Sequence, residues 1–271
     1  MKRLVFYFQY AGRNLRRSGQ WTAFAIFCVA AGVATVVALR SLGLAINDSL
    51  LSNVRQFNHG DINISLISNY GPFSFTLQTG ANERSVYQLA EVQQVQAWAA
   101  GLGGRTTAYI ALSNVQITPT RGFQLGRPQF TSSFFIDPQT YALVSDIRAV
   151  DPPDVPLRDL FTGGPEVVIG QNMADLNDLH VGDEVFVSGT EQKYIVRGIV
   201  PTEAEASINN VFASFFGFAY FDIRQAAALG LSSLPNTIGI ALKDGATPDD
   251  IEFAVDQLRQ MIRFRDINTT P

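Results

Sequence analysis

The longest apolar stretch of the chain runs from Trp21 to Leu39, and its 19 residues contain no charge and no proline. Such a run is typical of a transmembrane helix, because about 20 residues at roughly 1.5 Å each cross the hydrocarbon core of a bilayer. A helix also satisfies its own backbone hydrogen bonds, as lipid requires. The alternative is a buried core helix, but such helices in soluble proteins usually keep a polar face. The pattern therefore predicts a transmembrane helix over residues 21–40.

A helical repeat of apolar positions continues beyond this run. It consists of Leu42, Ile46, Leu50, Val54 and Phe57. Spacings of four and three are the period of an amphipathic helix, and Gly60 suits the positive φ that often ends one. We therefore predict a stalk helix over residues 41–60 that continues the transmembrane helix. The alternative is that this stripe packs on the core of the domain that follows.

From Asp61 onward, stretches of period two alternate with stretches of helical period, which predicts an α+β fold. The predicted strands are Asp61–Ile67, Thr106–Thr118, Gly122–Ile136, Glu166–Ile169, Glu184–Ser188, Lys193–Val200, Gly217–Asp222 and Asn236–Leu242. The predicted helices are Ser85–Ala100 (with Val86, Leu89, Val92 and Val95 or Gln96 on one side), Gln171–Leu179, Ile223–Leu229, and a last one from Pro248 that buries Ile251, Val255, Leu258 and Ile262. The segment Asp151–Pro156 predicts a rigid turn or a linker at a subdomain boundary.

Charge predicts the orientation of the transmembrane helix. Residues 1–20 contain five Lys or Arg and no acid, whereas the whole chain has 20 basic and 24 acidic residues. Because basic flanks stay on the cytoplasmic side, we expect residues 1–20 to form a cytoplasmic segment on the inner leaflet. Residues 61–271 would then be an extracytoplasmic domain of a plasma (inner) membrane protein. The basic and apolar regions are longer than those of a cleaved signal peptide, and the acidic outer part argues against nucleic acid as a partner.

Few residues of the chain suggest chemistry. The sequence has no phosphate-binding loop, H-E-x-x-H, C-x-x-C or G-x-S-x-G motif. The only cysteine, Cys28, lies in the apolar run, so the outer domain has no disulfide. His59 and His180 lie at predicted helix ends, where capping or exposure to solvent is the expected role.

A carboxylate pair is the one arrangement that could act in acid–base chemistry. Glu203 and Glu205 lie close to Ser207, and we expect a solvated loop here rather than an active site. We therefore expect no enzyme activity, no catalytic residue, and no cofactor or metal site.

A phenylalanine-rich stretch runs from Asn209 to Tyr220. Its phenylalanines are Phe212, Phe215, Phe216 and Phe218. One interpretation is a core segment, part strand and part turn. The other is an exposed aromatic patch that contacts an apolar ligand or partner.

Three stretches, taken in order, resemble the amino-terminal part of the FtsX-like permeases of ABC transporters that carry a MacB-type periplasmic core domain. Arg13–Arg17, the apolar run and Ala38–Gly43 resemble the first helix of the family. The strand Glu166–Gly170, the helix with Ala174 and the turn Leu179–Asp183 resemble its strand–helix–turn barrel unit. The stretch Asn236–Ile262 resembles its closing strand and helix.

The resemblance implies a permease component that couples a separate cytoplasmic ABC ATPase to an extracytoplasmic domain, in export, lipoprotein release or mechanotransmission. It implies a homo- or heterodimer of permeases and an outer domain of two lobes, the middle lobe covering about residues 120–215. ATP binding would move the stalks. The alternative function is a membrane-anchored extracytoplasmic binding or scaffold module without transport. Family members have further spans near the carboxyl end, and we expect those to lie outside this sequence or on another chain.

Overall fold

The structure, a computed structural model, describes residues 24, 26–41, 60–66, 86–121, 124–205, 210–244, 246–261 and 266–269. The chain divides into two compact units, Met1–Ser52 and Asn53–Pro271. The predictions for the cytoplasmic segment, for most of the stalk and for His59, Ser207 and Ile262 lie outside the described residues.

In the first unit, residues 26–41 form helix α1. Its apolar side chains are exposed, among them Phe27, Val33 and Leu39. The hydroxyl of Thr35 donates to the carbonyl of Ala31 at 2.8 Å, so this polar group is satisfied within the helix. Judged on length and apolar character, none of the helices in the described residues qualifies as a membrane span. The transmembrane assignment therefore stays a prediction.

The second unit is a mixed α/β domain, as expected. Its described strands are β1 (Ile62–Ser65), β2 (Arg105–Arg121), β3 (Gln124–Leu125), β4 (Gln129–Ile136), β5 (Glu166–Gly170), β6 (Glu184–Val187), β7 (Lys193–Val200), β8 (Phe218–Asp222), β9 (Thr237–Ala241) and β10 (Asp266–Thr269). Its described α-helices are α2 (Leu89–Gly101), α3 (Pro138–Tyr141), α4 (Gln171–Asn177), α5 (Val211–Phe216) and α6 (Pro248–Met261).

Strand β2 belongs both to an antiparallel sheet and to a barrel. Its first residues, Arg105–Tyr109, pair with β9 in an antiparallel sheet of order β10-β1-β9-β2. Its later residues pair with β4 from Ile110 and with β6 from Ile117. Because the order β2-β4-β8-β5-β7-β6 returns to β2, six strands close into a barrel.

Alternating apolar residues fill the barrel and cover the sheet. Those inside the barrel include Ile117, Phe135, Val167, Tyr194 and Phe221, all buried in one cluster. On the β10-β1-β9-β2 sheet, α2 and α6 pack against Ile64 and Ile240 in a second cluster. Trp98 of α2 donates its indole N–H to Gln257 of α6 at 2.8 Å. The division of residues 61–271 into lobes at about 120 and 215 stays a prediction.

Two helix predictions need correction. The helix predicted over Ser85–Ala100 begins at Leu89, and Leu89, predicted on one side with Val92 and Val95, is 63% exposed, whereas Val92, Val95 and Ala99 are buried. The predicted helix Ile223–Leu229 consists of two 3₁₀ turns, which end at Gly230 with φ 71°.

The segment Asp151–Pro156 is a turn that is bound to the barrel. Ala149 N–H donates to the carbonyl of Val155 at 2.8 Å, which closes the turn. Asp151 forms an isolated bridge with Ile199 of β7. Of the two interpretations of this segment, the turn is the one the structure shows.

Candidate functional site

Phe215, the most exposed aromatic residue among the described residues of the outer domain, lies on α5, and several hydrogen bonds fix the position of this helix. The side chain of Asn210 accepts a hydrogen bond from Ala213 N–H at 3.2 Å and so caps the helix. Asn172 of α4 donates to the carbonyl of Ala213 at 2.8 Å. At the other end Gly217 has φ 80°, and a Cβ there would lie 2.5 Å from that of Met173. The chain can therefore turn from α5 into β8 only through a glycine.

This helix presents apolar side chains to solvent. Phe215 is 70% exposed and Phe216 is 43% exposed. Leu176 of α4 and Phe130 of β4 are also exposed, and the two elements are tied by Asn177, which donates to Gln129 at 2.6 Å. We call Phe130, Leu176, Phe215 and Phe216 the aromatic patch. Exposed apolar patches on a protein surface often mark sites of interaction with another protein, a membrane or an apolar ligand.

Both interpretations of the phenylalanine-rich stretch hold in part. Phe218 is fully buried in β8 and belongs to the core on the outer side of the barrel. Phe215 and Phe216 belong to the aromatic patch, and the stretch before Gly217 is helical rather than strand or turn. The ring of Phe212 lies 4.6 Å from that of Phe216, so the two stabilise each other on the helix.

Glu205 is buried, which corrects the prediction of a solvated loop. It is 4% exposed, whereas Glu203 is exposed as expected. The carboxylate accepts hydrogen bonds from the hydroxyls of Tyr141, at 3.3 Å, and of Tyr220. The sequence carries no signal for this burial, because Tyr141 and Tyr220 come from distant elements that meet only in the folded chain.

The tyrosines around Glu205 are poor acids. Burial is the main cause that raises the pKa of Tyr141 and of Tyr220 well above the ordinary value, and the charge of Glu205 adds to it. Tyr109 lies 5.6 Å from Tyr141 between ring centroids and accepts a hydrogen bond from Asn63 at 2.7 Å. The hydroxyls therefore stay protonated as donors. This buried network connects β1 with β2, α3 and β8.

The other residues considered from the sequence do not come together. His180 is exposed and follows α4 in a turn, where its N–H donates to Asp183 at 2.8 Å. Among the described residues no group of three His, Cys, Asp or Glu could hold a metal ion. The sequence-based expectation of no catalytic or metal residue stays an expectation.

Comparison with known proteins identifies the family. Residues 22–258 match the sequence model of the MacB-like periplasmic core domain. The chain belongs to this family. The resemblance derived from the sequence is thereby confirmed. A search of the curated proteins found no match.

Two solved structures are similar to this member of the MacB-like periplasmic core domain family. The periplasmic region of MacB from Actinobacillus actinomycetemcomitans has a TM-score of 0.52 at 12% identity, covering 82% of this chain and 94% of that one. The extracellular domain of the noncanonic ABC-type transporter YknZ from Gram-positive bacteria has a TM-score of 0.45 at 12% identity, covering 78% of this chain and 98% of that one. The first of these matches shows that the fold is shared.

One motif behind the resemblance proves to be structural. Gly182 of the Val181–Asp183 turn has φ 99°, and its N–H donates to the carbonyl of Val196 at 2.8 Å. Asp183 accepts from His180 N–H and so fixes the turn that leads into β6. In this member of the MacB-like periplasmic core domain family the motif builds the barrel, and the aromatic patch is the candidate interaction surface.

Proposed function

We propose that the chain is a permease component of an ABC transporter, anchored in the plasma (inner) membrane with its amino terminus in the cytoplasm. The observation that supports this most directly is the extent of the family match. It begins at residue 22, inside the apolar run, and continues into α6. One chain thus combines a 19-residue apolar run with a match to the MacB-like core domain. The exposed apolar side chains of α1 are those that lipid would cover.

The proposed partners follow from what the chain contains. The ATPase would be a separate cytoplasmic subunit, as the resemblance to FtsX-like permeases implies. Two permease chains, identical or different, would form the membrane unit. The basic residues before the apolar run would contact anionic lipid. In this proposal the chain itself performs no catalysis and couples the ATPase to its outer domain in export, lipoprotein release or mechanotransmission.

Cysteine labelling tests the proposed orientation. Cys28 is the only cysteine of the sequence. In a Cys28→Ser background, a single introduced cysteine therefore shows on which side of the membrane its position lies. We expect a membrane-impermeant maleimide to label Ser49→Cys in intact cells and Ser18→Cys only after lysis. The opposite pattern would show that the orientation is wrong.

Co-purification tests the proposed partner. The full chain, expressed with a candidate ATPase from the same genome, should co-purify with that ATPase and raise its rate of ATP hydrolysis. A matched control is residues 41–271 exported by a cleavable signal peptide, which should bring down none. If neither form associates with an ATPase, the scaffold alternative gains support.

A further inference from the structure

A small pocket lies between α3 and the 3₁₀ turn Leu157–Asp159, away from the aromatic patch. Its volume is about 130 Å³. Buried apolar groups form its floor, among them Tyr141 and Leu157. A single buried water occupies only about 10–15 Å³ on such a measure, so the pocket has room for a small organic molecule.

The pocket contains a buried hydroxyl without a partner. Ser145 lines it and is buried, and within the described residues its Oγ has no hydrogen-bond partner. Unsatisfied buried polar groups are rare in native proteins, so this hydroxyl beside the pocket calls for an explanation.

Charged groups of both signs surround the pocket. Arg148 and Arg158 line it, and both side chains are about half exposed. Arg158 uses its Nε toward Asp159 at 3.6 Å, which leaves the Nη donors of its guanidinium for a carboxylate. Asp146 also lines the pocket and faces Arg148 at 3.5 Å.

The balance of these charges selects the kind of ligand. Asp154 lies 3.1 Å from Arg148, so two guanidinium groups meet three carboxylates at this site. A dianion such as phosphate would add negative charge to a site where carboxylates already outnumber guanidinium groups. A molecule with one carboxylate and one ammonium group adds none, and each of its charges finds an opposite partner.

We propose that this pocket binds a small zwitterion, a free α-amino acid. Its carboxylate binds Arg158, its ammonium group binds Asp146, and its short side chain enters toward Tyr141 and Ser145. The proposal is independent of the transport function and concerns a ligand of the outer domain itself.

Equilibrium dialysis of the detergent-solubilised full chain with labelled L-alanine tests the proposal. We expect saturable binding of one molecule per chain. N-acetyl-L-alanine lacks the ammonium charge and L-alaninamide lacks the carboxylate, so each should bind about tenfold more weakly or less. Equal binding of all three probes would overturn the proposal. So would the absence of saturable alanine binding up to about 10 mM, ten times a Kd of about 1 mM.

Variants locate the binding. Arg158→Gln should weaken alanine binding by about tenfold or more, whereas Arg259→Gln on α6, also an exposed arginine in an ion pair, should not change it. Unchanged binding in a folded Arg158→Gln chain would overturn the proposal. If that variant fails to fold, Asp146→Asn is decisive: it should abolish the preference for alanine over N-acetylalanine, and an intact preference would overturn the proposal. Folding is checked by near-ultraviolet circular dichroism.

Discussion

The carboxylate of Glu205 is the acceptor for two buried tyrosine hydroxyls. Glu205→Ala would leave the hydroxyls of Tyr141 and Tyr220 buried without this acceptor. We expect the free energy of unfolding to fall by about 2–4 kcal/mol, since each orphaned group costs about 1–3 kcal/mol. Urea unfolding of the solubilised chain measures this. Glu203→Ala, at an exposed position in the 3₁₀ turn Thr202–Ala204 that Glu205 follows, is the control and should stay within about 0.5 kcal/mol. Equal effects of the two changes would show that the buried network contributes nothing to stability.

Two other buried carboxylates should make the outer domain sensitive to acid. Burial disfavours the charge on Glu166, but hydrogen bonds from Thr162 and Arg197 outweigh it and lower its pKa. The pKa of Asp222 is lowered in the same way, with burial opposed by the hydrogen bonds of Arg224. A lowered pKa in the folded state adds stability above the ordinary carboxyl pKa of about 4, and this stability is lost as pH falls through the lowered value.

Paired variants test this pH dependence. The double change Glu166→Gln and Asp222→Asn should lower the free energy of unfolding at pH 7 by about 1–3 kcal/mol for each site. The difference from the unchanged chain should shrink as the pH falls below about 4, because both carboxylates then become protonated in the unchanged chain. A difference that stays constant between pH 7 and pH 3 would contradict the assignment. Glu203→Gln is the control.

At the scale of elements, the entry into β1 depends on a close backbone approach. Gly60 has φ 125°, and a Cβ there would lie 2.4 Å from the carbonyl oxygen of Ile240. Asp61 N–H donates to the same carbonyl at 2.8 Å, which holds the segment in place. The sequence predicted a positive φ at Gly60 from its place after an apolar stripe. It could not show the contact with β9, because about 180 residues separate the two in sequence.

Gly60→Ala should therefore destabilise the domain by about 1–3 kcal/mol through strain and displacement of β9. Gly101→Ala is the matched control. Gly101 ends α2, and a Cβ there meets nothing within 4 Å. Alanine in a helix is better than glycine by about 0.5–1 kcal/mol, so this control should be neutral or stabilising. Thermal unfolding compares the two, and a stable Gly60→Ala protein would show that β1 can shift away from β9.

The elements found by periodicity and those missed differ for a physical reason. Strands β5 and β9 are buried runs and β7 alternates in burial along its first half, and the predicted bounds of all three agree with the structure to within one residue. Helix α5 was missed, because a run of six apolar or small residues has no polar face to reveal a helical period. The helix is stabilised by the local cap of Asn210 and by the tertiary hydrogen bond from Asn172 of α4.

The aromatic patch gives a prediction for the same stretch. Phe218→Ala should cost about 3–5 kcal/mol of unfolding free energy, because it empties a buried position in β8. Phe215→Ala, three residues earlier and 70% exposed, should cost less than about 0.5 kcal/mol. If Phe215→Ala destabilises as much as Phe218→Ala, the exposed ring is part of a packed surface and the patch is not a free interaction surface.

At the scale of the whole molecule, the sequence predicted the fold class and the family, and the resemblance implied a barrel unit, but the strand pairings that close the barrel could not be predicted. Closure depends on β2, whose 17 residues pair with β9, β4 and β6 in turn. No local pattern encodes such pairings, since each strand alone shows only which faces are apolar. The pocket beside α3 is likewise invisible in sequence, because Ser145 and Arg158 come from opposite sides of the Asp151–Pro156 turn.

The division into two units gives the last prediction. Residues 53–271 form one unit with buried clusters inside the barrel, on its outer side and on the β10-β1-β9-β2 sheet. This unit lacks Cys28, so no disulfide contributes to its stability. We expect residues 60–271 to fold without helix α1 and to unfold cooperatively, with a Tm unchanged by reductant.

A shorter variant provides the comparison that this prediction needs. Strand β10 pairs with β1 along four residues, from Asp266 to Thr269. Residues 60–261 lack β10, which leaves β1 as a bare edge strand, and such edges promote association. The shorter variant should therefore have a lower Tm and form oligomers in size-exclusion chromatography, whereas residues 60–271 should not. If residues 60–271 unfold without cooperativity, the outer domain depends on helix α1 for its fold. The helix would then be a structural part of the domain rather than an anchor that carries it.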